Sequence, residues 1–202
     1  MSHAILTVSK EILWLPISEI ARYMGARSSE MDAELIQRVN DLIPRFLSAL
    51  RCKACYTEVP VVISGKNVTI GPLSVESEDL AMCLKDCDRA IMFAATIGVE
   101  ADRLRRIASV ASPLNHLIYD ALGSAAIEVF CDALCREWAE ERTEFTVRPR
   151  YSPGYGDLSL EVQGEFLRAL DAQRKIGLTL SDNLLMIPQK SVTAIVGLKA
   201  CD

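Results

Sequence analysis

The chain has 202 residues, 50% of them apolar and 24% charged, with a formal net charge of −5. That length and apolar content suffice to bury a sizeable core and exclude a disordered chain. The acidic balance and scattered Lys and Arg argue against a nucleic-acid partner, and no apolar run approaches the roughly 20 residues of a membrane span. The run Ala4-Ile5-Leu6-Thr7-Val8 is too short for a signal-peptide core, so the expected location is cytoplasmic.

In chain order, the apolar run Ile12 to Ile17, broken by Pro16, and then Ile20 to Met24 before Gly25 predict a short strand and a short helix. Ser28 or Ser29 can cap an amphipathic helix over about 29–50, where Leu35, Ile36, Val39, Leu42, Ile43, Phe46, Leu47 and Leu50 keep helical spacing. Valine-rich Tyr56 to Ile63, the turn Gly65-Lys66-Asn67 and Val68 to Ile70 read as a β-hairpin. Ser77 opens a helix over about 78–86, Ala90 to Ile97 is a buried strand, and a charged helix follows from Val99 to about Ala111.

Ser112-Pro113 marks the start of the longest helix, with a hydroxyl at the cap and a proline where no amide hydrogen is needed. Its buried stripe runs through Leu114, Leu117, Ile118, Ala121, Leu122, Ala125, Val129, Ala133 and Trp138, and Gly123 to Ala126 allow close packing. Glu128 falls about 100° from the centre of that stripe, a margin compatible with solvation or with pointing into a cleft. Phe145 to Val147 is a short strand, Leu160 to Ile176 a helix stopped by Gly177, and 178–180, 184–187 and 191–198 are closing strands. Helices and strands mixed without regular βαβ alternation predict an α+β fold with a largely antiparallel, twisted sheet packed against long helices.

Seven cysteines, an odd number, suit a reduced cytosolic protein. Cys52-Lys53-Ala54-Cys55 has the spacing of half a zinc site or a redox pair, but there is no second C-x-x-C and only His3 and His116 as histidines. Structural thiols without metal are expected.

The stretch Arg150-Tyr151-Ser152-Pro153-Gly154-Tyr155-Gly156-Asp157 gathers chemistry in a loop. Pro153 and Gly154 suit the two central positions of a type II turn, Arg150 offers a planar fork of donors for a carboxylate, and the tyrosines offer ring faces for a heterocycle or a cation. From residue chemistry alone the same stretch is also an ordinary surface turn.

Arg150, Pro153, Gly154 and Tyr155 as R-x-x-P-G-Y, then a helix ending at Gly177, then Leu180, Met186, Pro188, Ser191 and Val192, give the C-terminal third a family resemblance. It resembles the activation, or reactivation, domain of cobalamin-dependent methionine synthase, in a free-standing form. The resemblance covers roughly 120–198 and is thin over the first hundred residues; the expected organisation is a single domain, 1–202, with an N-terminal half over 1–111 and a ligand-binding half over 112–198.

The resemblance implies a C-shaped α+β domain that binds S-adenosylmethionine and presents it to cobalamin carried by a partner, once a flavodoxin-like donor has reduced the cobalt. Carried over, Arg150 is the carboxylate anchor, Ser152 and Gly154 are backbone contacts, Tyr155 is the ring beside the reacting face, and Glu128 pairs with the ligand's amino group. Such a protein is one component of a methyltransferase system; it supplies orientation and needs neither a catalytic residue nor a metal of its own. The family's further N-terminal acid and a tyrosine beyond its last strand have no placed counterpart here. Two other readings remain open: a docking protein for a corrinoid protein that binds no S-adenosylmethionine, and an unrelated metabolite-binding domain whose Pro-Gly loop is only similar.

Overall fold

Strand β2 (Lys53–Ser64) is long enough to carry two neighbours on one edge. In the computed structural model, which describes residues 3–6 and 13–201, β1 (His3–Leu6) pairs with its first half and β3 (Asn67–Ile70) with its second. β4 (Leu73–Glu76) flanks β3, and β5 (Arg89–Thr96) lies on the other edge of β2. The sheet continues through β9 (Ser191–Ala200) to β6 (Phe145–Val147), in the order β4-β3-β2-β5-β9-β6, and every pairing is antiparallel. A separate two-stranded ribbon joins β7 (Thr179–Leu180) to β8 (Met186–Ile187). The predicted α+β class and antiparallel sheet are therefore found.

Helices cover both faces. The two-residue period of a strand sends alternate side chains of β5 to opposite sides. Ile91, Phe93 and Ala95 enter one core with α1 (Ile17–Tyr23), α2 (Ala33–Ala49), α4 (Val99–Ala111) and α5 (Pro113–Glu141). Ala90, Met92 and Ala94 enter a second core with α3 (Glu78–Cys83), α6 (Gln163–Leu170) and α7 (Ala172–Ile176). This is why the β5 sequence reads as an unbroken apolar run: neither face meets water. Phe93 and Trp138 are fully buried with ring centroids 5.1 Å apart, locking the far end of α5 onto the sheet.

Several local expectations need correction. Leu13 to Pro16 form no regular element and Ile12 lies outside the described residues, so the first strand is β1 instead. Helix α2 begins after Asp32, whose side chain accepts from the Leu35 amide at 2.8 Å; Ser28 lies in a preceding 3₁₀ turn with Ser29. The helix expected over 160–176 opens with a 3₁₀ turn and breaks at Asp171, which takes a left-handed conformation (φ 55°) and separates α6 from α7. Cys52 packs in the core on one face of the sheet and Cys55 in the core on the other, so the two thiols cannot share a ligand. Burial pushes the Cys55 thiol up to about 11.

Candidate ligand groove

Helix α5 has 29 residues, roughly 40 Å at 1.5 Å per residue, and its C-terminal half forms one wall of a groove. Ser112 starts it as expected, its hydroxyl accepting from the Asn115 amide at 3.3 Å. The opposite wall is the chain leaving β6. It stays on the sheet: the Arg148 amide donates to the Gly197 carbonyl, and Tyr151 exchanges two 2.8 Å backbone bonds with Ile195 of β9. Arg150 is thereby held between two fixed backbone contacts and aimed at α5.

At Ser152-Pro153-Gly154-Tyr155 the Tyr155 amide donates to the Ser152 carbonyl and Gly154 sits at φ 90°, the bend that proline followed by glycine favours. The loop is then tied across the sheet. The Asp157 carboxylate accepts from the Ser77 hydroxyl and from the Glu78 amide at 2.6 Å, at the start of α3, while the Asp157 amide donates to Asp79 at 3.3 Å. Hydrogen bonding from Ser77 holds the Asp157 carboxyl below its ordinary range, with a smaller opposing effect of burial. Gly156 (φ 51°) faces the Asp79 carboxylate and the Tyr151 hydroxyl so closely that a Cβ would collide with both.

The groove has a volume of about 980 Å³. Arg150, Ser152 and Tyr155 of the loop and Glu128 of α5 all line it. Gly154 does not; its amide donates to the Leu158 carbonyl at 2.9 Å, inside the loop. Arg150 and Glu128 meet directly, the guanidinium donating to the Glu128 carboxylate at 2.5 Å and, through its other terminal nitrogen, to Asp132. Burial opposes the guanidinium's charge, but the Asp132 hydrogen bond and the nearby negative charge outweigh it, so its pKa rises above the ordinary arginine value. Of Arg's five N–H donors these two bonds use two, leaving others for a ligand carboxylate. Tyr155 is 68% exposed, although the Tyr151 hydroxyl fixes its backbone carbonyl at 3.0 Å.

Several groove residues were not anticipated. Asp132 stands one helical turn beyond Glu128 on the same face, a signal its i, i+4 spacing carried. Cys135 lies beside the Arg150 guanidinium; burial raises its thiol pKa and Arg150 works against that rise. Gln163 at the start of α6 and Thr193 of β9 are 3% and 2% exposed and both line the groove. Among the described residues, no group of three or more histidine, cysteine or carboxylate side chains could hold a metal ion.

The layout is therefore an α+β scaffold carrying a charged groove between its longest helix and a loop strapped to the sheet edge. No protein-family model and no curated protein matches the chain. Among solved structures, it is similar to the MetH reactivation domain bound to AdoHcy, with a TM-score of 0.77 over 100% of this chain and 80% of that one. Sequence identity in that comparison is 14%. The fold is that of the MetH reactivation domain.

Proposed function

We propose that the protein is a free-standing reactivation factor that binds S-adenosylmethionine and supports remethylation of the corrinoid cofactor of a methionine synthase or a related methyltransferase. The correspondence of the whole chain with a reactivation domain carrying AdoHcy, the demethylated form of that donor, is the observation that carries this reading. In it the chain is one activation-domain-like unit whose ligand-binding half is 112–198.

The groove residues fit the ligand. A zwitterionic amino-acid end needs a cation for its carboxylate and an anion for its ammonium, and Arg150 with Glu128 and Asp132 supplies both. The exposed Tyr155 ring suits a sulfonium cation approaching the mouth. A volume of about 980 Å³ is at the upper end of small-molecule sites. Ser152 contributes backbone at the turn, and Gly154 supplies the conformation that keeps the turn in place. Cobalamin held by the partner, reduced beforehand by a flavodoxin-like donor, would supply the nucleophile for the methyl group, and S-adenosylhomocysteine would be the product left in the groove. The protein's contribution is to orient the methyl group toward that partner.

Arg150's existing bonds to Glu128 and Asp132 favour a second reading, in which the triad is a structural lock and the protein only docks a corrinoid protein. Calorimetric titration with S-adenosylmethionine, with and without a corrinoid protein, separates the two. Saturable binding near one equivalent supports the first reading. Absence of binding in both arms, with docking of the corrinoid protein retained, supports the second.

A further inference from the structure

We infer that Gln163 reads the hydrogen-bonding edge of an adenine base, fixing the end of the ligand opposite its charged amino-acid head. The inference rests on the proposed S-adenosylmethionine site and adds to it the group that selects the base.

A glutamine only 3% exposed has been removed from water, and its amide ordinarily finds protein partners. Gln163 has none for its side chain among the described residues. Nor is it sealed: the enclosed, unpartnered polar atoms belong to Thr57, Asp102, Arg105, Trp138 and Arg148, whereas Gln163 lines the groove. Gln163 therefore borders the groove without a side-chain partner among the described residues, and a ligand in the groove can supply one. Its position is set by α6, whose Phe166, Leu167 and Leu170 are buried in the second core, so the side chain is carried on a fixed element.

The chemistry of the two parts of the groove differs. The side facing α5 holds paired charges at Arg150, Glu128 and Asp132. The side built by α6 and β9 offers a neutral amide and the hydroxyl of Thr193, a residue that is 2% exposed and likewise has no side-chain partner among the described residues. Met186 and Leu160 also line the groove and supply apolar contact for a flat ring. A carboxamide offers one acceptor beside one donor, the complement of adenine's 6-amino group beside a ring nitrogen. A phosphate would leave the amide oxygen without a donor, so the neutral pair favours a base over an anion.

The test compares S-adenosylhomocysteine with its analogue carrying purine in place of adenine, which lacks only the 6-amino group. The unaltered protein is expected to bind the adenine compound about tenfold more tightly, because the analogue leaves the buried amide oxygen unpaired. Gln163→Met, which keeps length and apolar packing, is expected to bind both alike, with its fold checked by circular dichroism. Equal affinity in the unaltered protein, or discrimination retained in Gln163→Met, overturns the inference while leaving the proposed function standing. Binding of neither compound overturns the proposed function and this inference together. The comparison on the unaltered protein needs no variant, so failure of Gln163→Met to fold would not protect the claim.

Discussion

Arg150 holds two carboxylates on successive turns of one helix, and a lysine could not do the same. A guanidinium directs separate donors from a rigid plane, whereas an ammonium is a point charge that must choose. Arg150→Lys is expected to keep the fold and to weaken S-adenosylmethionine binding by at least about tenfold in calorimetry; unchanged affinity would move the ligand away from this loop. Tyr155 stands differently. The residue is 68% exposed and its hydrogen bonds are made by backbone atoms, so removing the ring leaves the turn's own bonds in place. Tyr155→Ala is expected to lower affinity by roughly 0.5–2 kcal/mol, the worth of one cation–ring contact. It should slow methyl transfer more, since misplacing reacting atoms by about 1 Å can cost on the order of 100-fold. A variant with wild-type transfer rate would make Tyr155 a turn residue only.

At the scale of elements, the loop is positioned by a strap between residues almost eighty positions apart, Asp157 and the start of α3. A folded-state carboxyl held below its ordinary range stabilises at pH above the unfolded value, about 4, and that stabilisation is lost as pH falls through the depressed folded value. Asp157→Asn should therefore lower the melting temperature at pH 7 and make little difference near pH 2. Equal shifts at both values would show that the strap's charge is irrelevant. No local pattern announces such a contact, which is why Asp157 carried no role in the sequence reading although it ends the motif that was singled out. Signals confined to a few residues fared better: Ser112-Pro113 placed the start of α5, and Pro153-Gly154 placed the turn. The cap of α2 is not the expected serine, since Asp32, directly before the helix, caps it rather than Ser28 or Ser29. The break at Asp171 was hidden because a left-handed aspartate leaves the apolar rhythm on either side intact.

For the whole molecule, two cores on opposite faces of one sheet make β5 and β9 the common floor of both helical layers. That arrangement was legible as a fold class from mixed elements and from the unbroken apolar run at β5. The groove was legible only in part: Arg150 and Tyr155 share a motif, but Gln163 and Thr193 reach the same space through α6 and β9. With one wall on the long helix and the other on the loop and β9, the groove leaves the Tyr155 ring at an exposed position facing any partner that docks there. The most direct test of the central claim is single-turnover methylation of a reduced corrinoid protein at saturating S-adenosylmethionine, followed through the cobalt absorption spectrum. The account predicts that methyl–cobalt forms at a rate that rises with added protein and falls in Arg150→Lys. A rate independent of this protein with every corrinoid partner that it binds would contradict it.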